Sequence, residues 1–419
     1  MLERPPPEKE WVSWSFVALW SLIIFVTIPL ARIIQGFVAE QWGRDTFTYL
    51  VIGVTLVAAT AAVGYLKHVR AASPINYIWL FLVSAVFIGY TIQLRKAPEE
   101  AMHFVQYGVL GVLSYRALCH RIRDVSIYFA AAIIGAIVGM VDETIQWITP
   151  SRYWGLRDIW LNFFAASLSQ VAIAKGLNPT VISGPPVTSS VRLLCRLSAV
   201  ALLLLGVSLV NTPARIAWYA DRIPILEFLQ TNRSVMAEYG YLYVDPVIGT
   251  FRSRFSPLEL GAVDADRGTE AARILDRFRG DRATYLRFLE KYTAANDPFV
   301  HEARVHLFRR DRYFEKSEKV KHNIERYRDY LTVAFRENQI MEKYFKNTLH
   351  HSTYVLPPEQ VAYLREHLLP DHDYESPVSR SLFTRIREGQ LIGALVLALL
   401  GLLVVGRYYG KEKATKAPS

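Results

Sequence analysis

Eight mostly apolar stretches, at 14–34, 48–66, 75–94, 102–118, 125–146, 158–174, 191–210 and 390–407, restrict what this chain can become. At ~1.5 Å of rise per residue, most are long enough to cross a hydrocarbon core of ~30 Å. A peptide immersed there has no water to satisfy its N–H and C=O groups, so it must be a helix or part of a closed barrel. Continuous apolar runs fit the helix. The expected fold class is all-α: a polytopic membrane helix bundle of about eight spans, with a mainly helical domain inserted between spans seven and eight. Residues 1–211 would form the seven-span bundle, 212–389 the inserted domain, and 390–419 the last span and a basic tail. Residues 1–10 are Pro-rich and charged, a poor candidate for packed structure. The first stretch has no small-residue cleavage site after it and runs directly into Arg32, so it reads as a retained helix rather than a removed signal.

Charge separates the two parts. Residues 212–389 hold 28 Lys+Arg against 26 Asp+Glu, so the net charge of +10 comes mainly from the connections between apolar blocks. That pattern suggests membrane topology, and no basic-aromatic module for nucleic acid is present. One set of connections carries Lys67 and Arg70, then Arg116, Arg121 and Arg123, then Lys175, Arg192 and Arg196, then Arg407, Lys411, Lys413 and Lys416. The alternate set carries Arg32, Arg44, Arg95, Lys96, Arg152 and Arg157. The richer set belongs on the cytoplasmic side. Both termini are then cytoplasmic, and 212–389 lies outside. Trp147, Trp154, Trp160 and Trp218 would sit near the outer interface. The two cysteines, Cys119 and Cys195, exclude a disulfide framework and read as small packing residues.

Within 212–389, the first part has helical spacing through Tyr239. Residues 241–255 suit a short hairpin. Asp264, Asp266 and Thr269 look like helix starts, followed by helices over 269–279, 281–294, 297–312, 315–350 and 357–369, with breaks at Pro298, Pro357-Pro358 and Pro370. No fixed-period repeat is evident.

The chemistry of the membrane part concentrates in a few residues. Asp142-Glu143 closes the fifth span, followed by Gln146, Pro150-Ser151-Arg152, Arg157-Asp158 and Asn162; the fourth span carries His103, Gln106 and Tyr107. A charge at mid-bilayer costs roughly 2.5–3.5 kcal/mol on insertion scales, so such groups face a cavity or a partner. Asp142 and Gln146, and Asp158 and Asn162, are four apart and share helix faces; His103 and Tyr107 are one turn apart. Arg152 and Arg157 fall in the connecting loop, within reach of the carboxylates. If the three helices pack together, these groups converge on one outer-leaflet pocket. His103, Glu143 and Asp158 are candidate catalytic groups, and Tyr107, Asp142, Gln146, Arg152, Arg157 and Asn162 candidate ligand-binding groups. No metal and no cofactor is expected.

The motif Glu99-Glu100-x-x-His103-Phe104-x-x-Tyr107-Gly108-x-Leu110-Gly111, taken with Asp142-Glu143-x-x-Gln146-x-x-x-Pro150-x-Arg152 and the following Asp158 and Asn162, closely resembles the VanZ-like family. That family is named for a glycopeptide (teicoplanin) resistance protein, and the resemblance covers about 90–175. It implies an integral membrane protein of the bacterial cytoplasmic membrane. It assigns polar positions to His103, Tyr107, Glu143, Gln146, Arg152, Asp158 and Asn162, and supplies no established reaction. Glu100 stands where many members have Lys. Ala165 and Ser169 stand where Gly is common, and still form a small-xxx-small face for close helix contact. The function expected is binding of an amphipathic or lipid-linked envelope ligand, such as a cell-wall precursor or glycopeptide, with acid–base work by His103 and Glu143 if there is turnover. The alternative is a membrane-anchored scaffold whose outer domain docks partner proteins, the polar cluster only fastening helices at ~0.6 kcal/mol per bond.

Other signals are weaker. His301-Glu302-x-x-x-His306 resembles a zincin helix with one residue too many, which turns the imidazoles ~140° apart. His350-His351 and Asp371-His372-Asp373 read as exposed turns, and the basic run from Arg309 to Lys321 as a solvated face.

Overall fold

The computed structural model describes residues 6–69, 72–149, 152–369 and 373–411. Arg70, Pro150, Ser151, Pro370, Asp371, His372, Lys413 and Lys416 lie outside those residues. The chain forms two compact units: Met1–Ser208 with Ile392–Ser419, and Leu209–Leu391.

The first unit contains α1 (Glu10–Trp42), α2 (Thr46–Val69), α3 (Pro74–Gln93), α4 (Met102–Leu118), α5 (Ser126–Ile148), α6 (Leu156–Val171) and α7 (Thr188–Val210). Among the described residues, six helices are long and apolar enough to cross a membrane: these same helices without α4 and α6, plus the last helix of the chain. Many of their apolar side chains are exposed, including Phe81, Val57, Val207 and Leu397. A water-soluble surface does not carry that much contiguous apolar area, whereas lipid covers it. α4 and α6, of 17 and 16 residues, are shorter and more polar and bury about half of their side chains. They form the centre with α5, around Phe104, Tyr107, Leu110, Leu161, Ala165 and Leu168.

Small residues let these three helices close up. A Cβ on Gly111 would stand 2.2 Å from Ser169 Oγ and 3.1 Å from the Ala166 carbonyl oxygen; one on Gly135 would meet Ala166 Cβ at 2.5 Å. Gln170 Nε2 donates to the Gly111 carbonyl at 2.9 Å, a bond that needs this approach. Gly111→Val should therefore push α4 from α6 and cost at least about 1–3 kcal/mol, the range for overpacking. Thermal unfolding in detergent against Gly36→Val, which has open space around it, would measure the difference.

The second unit begins with α8 (Pro213–Arg222) and a 3-10 turn over Pro224–Thr231. The helix expected through Tyr239 therefore stops early, at the break before Pro224. The antiparallel hairpin β1 (Tyr241–Asp245) and β2 (Gly249–Ser253) follows, pairing Tyr243 with Phe251 on its buried face. At its turn Gly249 has φ +109°, and a Cβ there would stand 2.5 Å from the Tyr374 carbonyl oxygen, so only glycine fits. Then come α9 (Pro257–Arg277), α10 (Arg282–Lys291), α11 (Pro298–Glu318), α12 (Ile324–Tyr344), α13 (Lys346–His350), α14 (Pro358–Glu366), α15 (Pro377–Leu382) and finally α16 (Glu388–Lys411).

Two expected boundaries move for identifiable reasons. α9 starts not at Asp264–Thr269 but at Pro257, because Ser256 and Glu259 form a reciprocal capping box. Asp264 is buried in mid-helix and accepts instead from the backbone N–H groups of Asn347 (2.7 Å) and Thr348 (3.0 Å). The stretch 315–350 is not continuous. α11 runs through to Glu318, and Asn323 restarts the chain as α12 by accepting from Arg326 N–H at 3.1 Å.

The core of this unit packs Phe251, Leu275, Phe288, Phe299, Leu307, Met341 and Phe345 together. His301 and His306 are both buried beside it, and no group of three or more metal-ligating side chains occurs among the described residues. Burial, and then the nearby Arg254 charge, hold the His301 imidazole well below the ordinary histidine range. The unfolded chain thus takes up this proton first, near pH ~6.5, and stability falls as the pH drops through that value. The slope from this group is about 1.4 kcal/mol per pH unit. Unfolding followed between pH 7 and 5 should show it in the native chain and lose it in His301→Phe.

Candidate functional site

α5 ends in a polar turn. Asp142 and Glu143 are both buried, and they diverge. Asp142 Oδ2 accepts from Tyr107 Oη of α4 at 2.9 Å. Glu143, with 0% exposure, accepts from Gln146 Nε2 (2.9 Å) and from the backbone N–H of Gly155 (2.9 Å). Gln146 Oε1 in turn accepts from Arg152 Nη2 at 2.8 Å. A relay therefore runs from Arg152 through Gln146 to Glu143 and pins the residue that precedes α6. The Asp158 carboxylate lies over Gly155: a Cβ there would stand 2.8 Å from Asp158 Oδ2. That carboxylate occupies the first turn of α6, where the helix dipole favours an anion.

Below this turn opens a cavity of about 810 Å³. Its polar wall carries His103, Gln106, Asp142, Gln146, Arg152 and Asp158. Most of its apolar lining comes from α1, with Ile24, Ile28, Ala31 and Ile34, and α1 also brings Thr27, Arg32 and Gln35 to it; Phe47 and Met102 add further apolar surface. Two groups in the polar wall have buried polar atoms with no hydrogen-bond partner among the described residues: His103 Nδ1 and Arg152 Nε. Bound water or a ligand oxygen would satisfy them.

The sequence-derived candidates separate accordingly. His103, Asp142, Gln146, Arg152 and Asp158 face one cavity. Tyr107 and Glu143 stand behind its wall and hold it in place. Arg157 corrects the expectation for the loop. It belongs to α6, is largely exposed, and pairs with Glu100 at 3.1 Å instead of with Asp142 or Glu143. Asn162 shares the α6 face but packs against Gly139, fully buried away from the cavity.

Charged cavity residues outside the sequence-derived candidates include Arg32, Arg44, Glu99 and Glu100. Arg44 Nη2 donates to both Glu99 oxygens, at 2.8 and 3.0 Å. The available signal was Arg32 itself, a cation at the end of an apolar block that reads equally well as a stop to a span. Nothing local could link Arg44 to Glu99, 55 residues later.

No protein family, curated protein or solved structure matches the chain at a significant level. The class is thus defined by fold and site alone. This is a predominantly helical protein, almost without strand, and several of its helices have the length and apolarity of membrane spans.

Proposed function

We propose that the chain is a VanZ-like, multi-pass protein of the bacterial cytoplasmic membrane whose cavity binds an amphipathic, lipid-linked anion. A cell-wall precursor or a lipoglycopeptide of the teicoplanin type has that chemistry, and sequestering either would give a resistance-type role. In this reading α4 and α6 complete a bundle of about eight spans. Both termini are cytoplasmic, and the unit between α7 and α16 lies outside, where it would dock other envelope proteins. The even parity of helices and the basic bias of one set of loops support that topology.

The observation that carries the reading is the mixed lining of the cavity: apolar side chains, most of them from α1, together with Arg152 and His103. An acyl or prenyl tail suits the first and a phosphate or carboxylate the second. A guanidinium holds such an oxyanion through short charge-assisted hydrogen bonds. Asp142 and Asp158 would accept from hydroxyl or amide groups of the same headgroup. Should turnover occur, His103 and Asp158 are the catalytic candidates that reach the cavity, and Glu143 serves them only by holding Gly155 and Gln146.

Arg152→Gln in lipid nanodiscs should weaken binding of a fluorescent polyprenyl phosphate at least about tenfold, or 1.4 kcal/mol. Asp142→Asn should spare the phosphate and weaken only ligands with donor-rich headgroups. Unchanged affinity in Arg152→Gln, at normal membrane levels, contradicts the proposal.

A further inference from the structure

We propose that Pro213–Thr231, α8 with its 3-10 continuation, lies in the interface of the bilayer that α7 and α16 span, with its apolar face at the boundary between headgroups and acyl chains. The inference rests on the membrane-span reading of α7 and α16 and goes beyond the cavity. Within eleven residues this segment exposes Trp218 (61%), Ile223, Ile225 (81%) and Phe228. Ile216, Ala220 and Leu229 on the other side are buried in the second unit. A short segment built that way is an amphipathic surface helix, and indole is favoured at the headgroup level.

The segment's attachments argue for lipid as the occupant. Only Asn211 and Thr212 separate α8 from the last turn of α7. Arg215 Nη1 donates to the Val210 carbonyl at 2.6 Å and forms an ion pair with Glu388, the first residue of α16. Tyr219 Oη donates to Asn211 Oδ1 at 3.1 Å, and Tyr239 Oη to the Leu209 carbonyl at 2.7 Å. The segment is therefore tied at both points where the chain passes between a span-length helix and the second unit. Residues held beside two membrane ends cannot stand far from the headgroups. Arg222 folds back, donating to the Trp218 carbonyl at 2.8 Å, with its guanidinium 4.8 Å from the indole ring. That pairing shields the charge and leaves an apolar body with a polar rim.

The charges also define the kind of surface. Arg215 and Arg222 are balanced by Asp221 and Glu227. Insertion is thus driven by apolar area rather than by attraction to anionic lipid, and it should persist in a zwitterionic bilayer and at high salt.

The test uses the full chain, reconstituted in phosphatidylcholine vesicles in a Cys195→Ala background, where the remaining Cys119 is buried. A bimane label is placed singly by Ile225→Cys, Phe228→Cys, Leu258→Cys and Leu203→Cys, all at exposed positions. Labels at 225 and 228 should be quenched by a shallow doxyl lipid at least about threefold more than the label at 258, and should resist aqueous iodide. The label at 203, on α7, should respond to a deep doxyl lipid. If 225 and 228 respond to iodide as 258 does while 203 remains lipid-quenched, the interface inference is overturned and the spans stand. That outcome would turn the apolar face over to a protein partner. If 203 is itself open to iodide, the spanning reading falls and the inference with it.

Discussion

Replacing Arg254 with methionine should destabilise the second unit by about 3–5 kcal/mol, the usual cost of stranding a buried charge. Arg254 is almost fully buried between Glu238 and Glu302, which are buried in turn. Its guanidinium pairs with both oxygens of Glu238, its Nη1 donates to the Pro298 carbonyl at 3.2 Å, and its backbone N–H donates to Glu302 at 3.0 Å. One side chain thus connects the approach to β1, the end of β2 and the first turns of α11. Without it, two carboxylates face a dry interior with no counter-charge. Burial already raises the Glu238 pKa against the pull of Arg254, and the variant would raise it further. Native Arg254→Met protein would then bind protons that its unfolded chain releases, so its deficit relative to the native chain should shrink as pH falls toward 5. The double variant Arg254→Met with Glu238→Met should recover part of the loss at pH 7. Urea unfolding across that pH range measures both effects. A deficit that stays constant with pH would mean that packing, not stranded charge, is what the substitution removes.

The second large effect belongs to Glu143. Glu143→Ala strips the acceptor from two donors at once, Gln146 Nε2 and Gly155 N–H. Each buried donor left without a partner costs about 1–3 kcal/mol. Because Gly155 carries Asp158 over it and Gln146 holds Arg152, both ends of the polar wall lose their support. Glu143→Ala should therefore lower bundle stability by several kcal/mol, by that same arithmetic, and abolish ligand binding although Glu143 does not line the cavity. Glu143→Gln keeps one of the two acceptors and should lose less stability than Glu143→Ala. Thermal unfolding in detergent and ligand titration, run on both variants, separate the two consequences. Equal behaviour of the two would show that the carboxylate geometry is not what orders the turn.

Much of this architecture was legible in the sequence because its causes are local. Apolar blocks of helical length became helices, and Tyr-, Val- and Phe-rich residues around Asp245 and Gly249 became the hairpin. Polar residues at the ends of α4, α5 and α6 were legible as a cluster because helical periodicity fixes which side chains share a face. What escaped was set by contacts distant in sequence. Whether Glu143 faces the cavity or Gly155 depends on where the loop to α6 turns. Arg157 was drawn away by Glu100, on the segment before α4. The break between α11 and α12 depends on a single Asn323 cap within a stretch whose composition suits a helix throughout. Asp264 had the residue type of a helix start, but its partners lie on α13.

The proposed binding mode puts an anionic headgroup at Arg152 and His103 and its tail along α1. Photocrosslinking reads both ends at once. A polyprenyl phosphate with a diazirine in its tail, added to the full chain in nanodiscs and mapped by peptide sequencing, should label 24–36 of α1 above all other segments, and Arg152→Gln should remove most of that labelling. Labelling spread evenly over the lipid-facing sides of α2, α3, α7 and α16, and indifferent to Arg152→Gln, would contradict the account.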